Sequence, residues 1–190
     1  PISYWTPTTT NTAGDYRLTS GSSIISGLAT RDEVLVWTDV SLHSMRFSGP
    51  PYTYDIRQIS DSTTLVGPNA MISAGGVTYW MGRDKFYAYN GAVQPLPCSV
   101  RRYVFDDINR AQAFQVYAGV NEAHSEVWWF YCTADSEEID RYVVFNYSEA
   151  VWYFGSMARS TWLNAPVRGL PIHLGRLHLR ARTGRRRRVE

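Results

Sequence analysis

Short stretches in which apolar and polar residues alternate follow one another along the chain, with turn-forming residues between them. Because these stretches are rich in β-branched and aromatic side chains, they predict half-buried β-strands and an all-β fold class. In chain order the predicted strands are Glu33–Trp37, Ser44–Ser48, Tyr52–Ile59, Ala70–Ala74, Val77–Met81, Phe86–Asn90, Ala92–Leu96, Phe114–Gly119, Val127–Tyr131, Tyr142–Asn146 and Val151–Phe154.

The strand pattern repeats. The second strand of each round begins at Val34, Val77 and Val127, and the third strand ends at or near Phe47, Tyr89 and Phe145. Two of these third strands lead into a turn that contains glycine, at Gly49 and Gly91. A repeat of four short antiparallel strands every ~40 to 50 residues is typical of a β-propeller blade. The pattern therefore predicts a propeller-like arc of four-stranded antiparallel blades, with a β-sandwich as the alternative.

Aromatic residues account for 14% of the chain, and a stack of blades would use them to fill the space between neighbouring sheets. We expect Trp37, Trp80 and either Trp128 or Trp129 in that role. About three rounds are recognisable within residues 1–167, whereas closure of a propeller takes at least about four blades. Residues 1–167 are accordingly interpreted as a propeller fragment, unless the Thr- and Ser-rich N-terminal stretch supplies part of another blade.

Two insertions lengthen the third round. Ser99–Arg110 places Val100, Val104 and Ile108 four residues apart, which predicts one apolar face of a short helix. Thr133–Asp140 is polar and acidic, and we expect a loop between strands there.

Charge is distributed unevenly along the chain. Residues 168–190 hold eight arginines against one glutamate, whereas the first 167 residues hold 11 basic and 16 acidic residues. The C-terminal segment is therefore interpreted as a basic tail, either disordered or translated from a shifted reading frame. If the tail is genuine, it is a candidate nucleic-acid-binding arm. Its candidate residues are Arg180, Arg182, Arg185, Arg186, Arg187 and Arg188.

Residues with catalytic potential form no convincing constellation. Asp39, Ser41 and His43 are the residue types of a hydrolase triad, but they alternate within one segment and the nucleophile-elbow motif is absent. Cys98 and Cys132 are expected to be small apolar residues in or beside strands. We assign no catalytic, cofactor-binding or metal-binding residue, and the expectation is a chain that is not an enzyme.

Acidic residues in two segments could form a cation site or a catalytic carboxylate pair, but neither pattern favours that role. Asp135, Glu137, Glu138 and Asp140 could surround a cation, but their spacing lacks the glycine of an EF-hand loop and favours a solvated loop. Asp106 and Asp107 are adjacent in the predicted helix, so they would point about 100° apart rather than face each other.

A set of short motifs occurs in a characteristic order along the chain. The motifs are Leu65–Ala70, Gly76–Met81, Phe86–Gly91, Leu96–Cys98, Val104–Asn109, Tyr117–Asn121, Glu126–Tyr131, Asp140–Val143 and Val151–Trp152. Together they resemble the structural proteins of tailed bacteriophages, in particular the propeller-bearing tail nozzle or packaged-DNA-stabilisation proteins of short-tailed phages. The resemblance covers roughly Asp32 to Asn164, and the chain departs from the pattern after about Gly169.

This resemblance implies a non-enzymatic virion component of the tail or head-to-tail junction. Such a protein would assemble with portal and tail proteins as a homo-oligomeric ring, closing or extending a channel through which DNA passes. It would be made in the cytoplasm of the host bacterium. Independently of the resemblance, no apolar run in the sequence approaches the ~20 residues of a membrane-spanning helix. The alternative is a carbohydrate-binding propeller or adhesin, in which Trp152 and Tyr153 would stack on sugar rings.

Overall fold

A computed structural model describes residues 6–8, 10–50, 53–158, 161–163 and 172–174. Within these residues, three four-stranded antiparallel sheets and one two-stranded sheet account for nearly all the regular structure. The all-β prediction is confirmed. Each four-stranded sheet is a simple meander, since its strands pair in the order in which they occur along the chain.

The first sheet contains β1–β4, the second β5–β8 and the third β9–β12, and β13 pairs with β14. The bounds are β1 Ile24–Ala29, β2 Val34–Thr38, β3 Leu42–Phe47, β4 Tyr54–Ser60, β5 Met71–Ala74, β6 Val77–Met81, β7 Phe86–Tyr89, β8 Val93–Pro95, β9 Tyr117–Asn121, β10 Glu126–Tyr131, β11 Arg141–Asn146, β12 Val151–Ser156, β13 Thr161–Leu163 and β14 Ile172–Leu174.

The repeat predicted from the sequence is present in the sheets. Val34 and Val77 begin the second strands of their sheets, and Val127 is the second residue of β10. Gly49 and Gly91 have φ angles of 80° and 104°, which glycine adopts without the steric penalty that a side chain would bring. These turns allow the fourth strand to fold back beside the third.

Most predicted strand bounds differ from the observed ones by one or two residues, and two predicted elements differ by more. The strand expected at Phe114–Gly119 is β9, which begins only at Tyr117, because residues before it form a 3₁₀ helix over Arg110–Gln115. The helix expected over Ser99–Arg110 is the single α-helix α1, Arg101–Phe105, within the described residues. A β-bridge between Ile108 and Thr133 follows it.

The apolar face predicted for that helix nevertheless lies against the core. Val104 and Ile108 are buried and Val100 packs beside them. Strand β1 was missed, because its sequence mixes serine and glycine with apolar residues and shows no clear alternation. The contacts of β2 with β1 and β3 make it an interior strand, as its buried side chains require.

The first and second sheets pack against each other through one apolar cluster, here called the first interface. It contains Leu35, Trp37 and Leu42 from the first sheet and Trp80 and Tyr89 from the second. The rings of Trp37 and Trp80 are both fully buried and meet edge to face, with centroids 5.5 Å apart. Such a ring pair adds about 0.5–1.5 kcal/mol to the stabilisation gained from burial.

The opposite face of the second sheet packs against the third sheet in a second interface. Met81 and Phe86 contribute from the second sheet and Val127, Trp129 and Phe145 from the third. Trp80 and Met81 are adjacent in β6, and because neighbouring strand residues point to opposite faces, this one strand contributes to both interfaces. Trp129, rather than Trp128, fills the space between these sheets.

The first strands of the second and third sheets, β5 and β9, lie close together. Asn69, just before β5, forms a parallel bridge with Tyr117 of β9, and the amide of Ala118 donates to the Asn69 carbonyl at 2.8 Å. On the far side of the third sheet, the indole of Trp162 in β13 donates to the Val120 carbonyl at 3.0 Å. The β13–β14 pair is thus packed on the outer face of the third sheet.

No helix in the described parts of the chain combines the length and the apolar character that crossing a bilayer requires.

Candidate functional site

The turn between β2 and β3 and the start of β3 carry the three residues that resembled a triad. The backbone closes through the Thr38 amide, which donates to the Ser41 carbonyl at 2.8 Å. The Ser41 hydroxyl lies 2.9 Å from Nε2 of His43 and 2.7 Å from the Thr38 hydroxyl, and all three side chains are buried. A serine and a histidine are therefore hydrogen-bonded, but solvent does not reach them.

Asp39 points away from this pair. Its carboxylate accepts hydrogen bonds from the Ser22 hydroxyl at 2.6 Å and from the Ser22 amide at 2.8 Å, and these bonds lower the pKa of Asp39. Burial lowers the pKa of His43, which favours the neutral imidazole. Without a carboxylate on the imidazole or access to a substrate, the group cannot act as a triad. It instead holds the segment before β1 against the β2–β3 turn.

A buried carboxylate lies between the first and second sheets. Glu33 accepts hydrogen bonds from the Ser44 hydroxyl, from Nε of Arg46 at 3.1 Å and from the Tyr89 hydroxyl at 2.9 Å. Its side chain is only 7% exposed. Burial opposes ionisation of Glu33, but these donors outweigh it and lower its pKa.

This Glu33 cluster was not found in the sequence. Ser44 and Arg46 alternate on β3, but Tyr89 is 56 residues from Glu33, and no local pattern indicates that they meet. A cleft of about 590 Å³ opens beside the cluster, between the β1–β2 turn and the end of β7. Because the carboxylate already has three donors, it is poorly suited to serve as a general base or a metal ligand, and its evident role is to join two sheets.

The acidic loop between β10 and β11 is held by hydrogen bonds. Asp140 accepts from both the amide and the hydroxyl of Thr133, each at 2.9 Å. Asn109 and Gln115 donate to the loop carbonyls of Ser136 and Glu137. Across the described residues no group of three or more His, Cys, Asp or Glu side chains is arranged to hold a metal ion.

The aromatic pair considered for sugar stacking is divided between core and surface. Trp152 packs with ring centroids 4.7 Å from Phe86 and from Phe145, and its indole donates to the Pro97 carbonyl at 2.8 Å. Tyr153, on the opposite face of β12, is 47% exposed. Trp152 is thus engaged in packing the second interface.

The two cysteines are poor nucleophiles. Cys132 is buried directly after β10, and burial raises the pKa of its thiol. Burial also raises the pKa of Cys98 to about 11. Reactive cysteines require the thiolate, so both side chains suit packing better than chemistry.

The arginines predicted to bind nucleic acid, residues 180–188, lie outside the described residues. Of the predicted basic tail, only Ile172–Leu174 is described, as β14. A scan against protein-family models and a search of curated proteins both found no match for this chain.

Proposed function

We propose that this chain is a non-enzymatic component of a phage virion, in the tail or at the head-to-tail junction. It would assemble as a homo-oligomeric ring with portal and tail proteins, around the path of the DNA. The observation that carries this proposal is the packing of one sheet on the next through buried aromatic rings, in the order of the chain. The polar clusters described above are engaged in holding these sheets and loops together, as in a scaffold.

A propeller arrangement of the sheets is part of the proposal. Blades around an axis bring their first strands together at the centre, whereas a sandwich pairs two faces only. Three features support the propeller: the parallel bridge from Asn69 to Tyr117, the packing of Trp162 on β9, and the use of both faces of the second sheet. On this basis β13 begins a fourth blade.

Proteomics of purified virions tests the virion assignment. We expect tryptic peptides of this chain in phage particles purified by density gradient, at a fixed ratio to the portal protein. Purified chain mixed with portal rings should also co-elute with them in size-exclusion chromatography. Peptides found in infected cells but absent from particles, with no co-elution, would contradict the assignment and leave a glycan-binding role as the next to test.

Electron cryo-microscopy of the assembled ring tests the propeller independently. Wedge-shaped sheets around an axis are expected in each subunit. Two face-to-face layers would overturn the propeller while leaving the virion assignment open to the proteomic result.

A further inference from the structure

Four cationic side chains converge on the turn between β6 and β7, although they come from three separate segments. Arg83 and Lys85 belong to the turn, Arg101 begins α1 and Arg110 begins the 3₁₀ helix before β9. All four residues are exposed. We call this set, with Asp84 at its centre, the basic turn surface.

The arginines of the two helices are held in place by the backbone of the turn. Arg101 donates from Nε to the Asp84 carbonyl at 2.7 Å, and Arg110 donates from a terminal nitrogen to the Arg83 carbonyl at 3.2 Å. Each guanidinium has further N–H groups beyond the one used here. These cations are therefore partly preorganised, which lowers the entropy cost of binding an anion.

One carboxylate offsets only part of this charge. Asp84 lies 3.5 Å from the Arg101 guanidinium and 3.9 Å from the Lys85 ammonium. Counting every charged residue of the turn and of residues 101–110, five cations (the four above and Arg102) stand against three anions (Asp84, Asp106 and Asp107). The local formal charge is therefore +2, whereas residues 1–167 as a whole carry −5. Charges separated by more than ~10 Å are largely screened at 0.1 M salt, so a bound anion responds to this surface more than to the whole chain.

We propose that the basic turn surface binds the phosphate backbone of duplex DNA, without reading its sequence. DNA carries phosphates every ~3.4 Å along each strand, so cations spread over a turn and two helices can engage several phosphates at once. Guanidinium groups match phosphate oxygens in geometry as well as in charge. This inference goes beyond the proposed function and does not depend on it.

Fluorescence anisotropy with a labelled 20-base-pair duplex tests the inference in the full chain. Six of the eight tail arginines, those within residues 180–188, are first replaced by glutamine so that they do not dominate binding. In this background Arg83→Gln with Lys85→Gln should lower the slope of log K against log salt by about 2, the loss of two phosphate contacts. These substitutions keep the main-chain carbonyls of Arg83 and Asp84, so Arg110 and Arg101 are still held in place.

The matched control is Arg31→Gln with Arg57→Gln, which removes the same charge from exposed positions on the first sheet. It should change the slope by much less, and Arg83→Lys should keep most of the binding. Equal loss in both pairs, or no measurable binding in the tail-substituted background, would overturn the inference. Equal affinity for poly-glutamate would also overturn it, in favour of an acidic protein partner.

Discussion

At the scale of single residues, neighbouring side chains of one strand have opposite roles. Trp129 is fully buried in the second interface and donates its indole N–H to the Ala70 carbonyl at 3.1 Å. Trp128 faces the other way, and its indole donates to Glu126, two residues before it. The first bond joins two sheets, whereas the second is local.

Replacing Trp129 by phenylalanine should therefore cost more than the same change at Trp128. We expect Trp129→Phe to lower the free energy of unfolding by about 2 kcal/mol, through a cavity and a lost hydrogen bond. Trp128→Phe should cost less than half as much. Urea unfolding followed by circular dichroism measures both, and equal losses would contradict the placement of Trp129 between the sheets.

Glu33 provides a pH-dependent contribution to stability. Because its pKa is lowered in the folded chain, its stabilisation is present above the pKa of the unfolded chain and is lost as the pH falls through the folded value. Glu33→Gln should flatten the decline in the free energy of unfolding between about pH 5 and pH 3.

The control for this change is Glu149→Gln at an exposed turn. The wild-type and Glu149→Gln proteins should decline in parallel as the pH falls. If Glu33→Gln also followed the wild-type curve, the carboxylate would not be held by Ser44, Arg46 and Tyr89 as described.

At the scale of elements, one glycine permits the β13–β14 pair to approach the third sheet. A Cβ atom added to Gly119 would lie 2.5 Å from the indole of Trp162, inside any normal contact distance. Gly119 therefore matters because of its missing side chain, and its role depends on a residue 43 positions later in the chain. Nothing in the strand pattern around β9 predicts this contact.

Gly119→Ala should displace Trp162 and lower the free energy of unfolding by about 1–3 kcal/mol. Gly14→Ala, where nothing lies within 4 Å of the added atom, should change it by less than about 0.5 kcal/mol. A double-mutant cycle with Trp162→Ala identifies the cause, since the two changes should be strongly non-additive. Additive losses would place the effect of Gly119 elsewhere than at the indole.

Element prediction succeeded where burial follows strand periodicity. Val77–Met81 was predicted with the bounds that the structure has, because turn residues flank a short apolar run. It failed at Phe114, where the chain turns through a 3₁₀ helix before β9 although its residues suit a strand. At Phe114 the strand-like sequence pattern did not determine the backbone, because this segment has to connect the second sheet to the third.

At the scale of the whole molecule, the second sheet lies between the other two. Both of its faces are covered, whereas the first sheet leaves Phe47 and Tyr54 71% and 53% exposed on the face away from the second sheet. Detaching the first sheet from the stack therefore uncovers less buried surface than detaching the second sheet. Stability should not be uniform across the stack.

Hydrogen exchange measured by mass spectrometry checks this gradient. Peptides from β6 should exchange more slowly than peptides from β2, although both are interior second strands of their sheets. A difference of roughly tenfold corresponds to about 1.4 kcal/mol. Slower exchange in β2 than in β6 would contradict the central position of the second sheet.

The amino-acid sequence alone predicts the all-β class, most strand positions and the burial of Trp37 and Trp80. It can do so because hydrophobic alternation and turn-forming residues act over only a few positions. It does not predict the Glu33 cluster or the basic turn surface. The residues that contact Glu33 lie 11 to 56 positions away from it in the chain. The residues of the basic turn surface come from three separate segments of the chain. Packing of whole sheets brings them together, and that packing depends on many contacts at once.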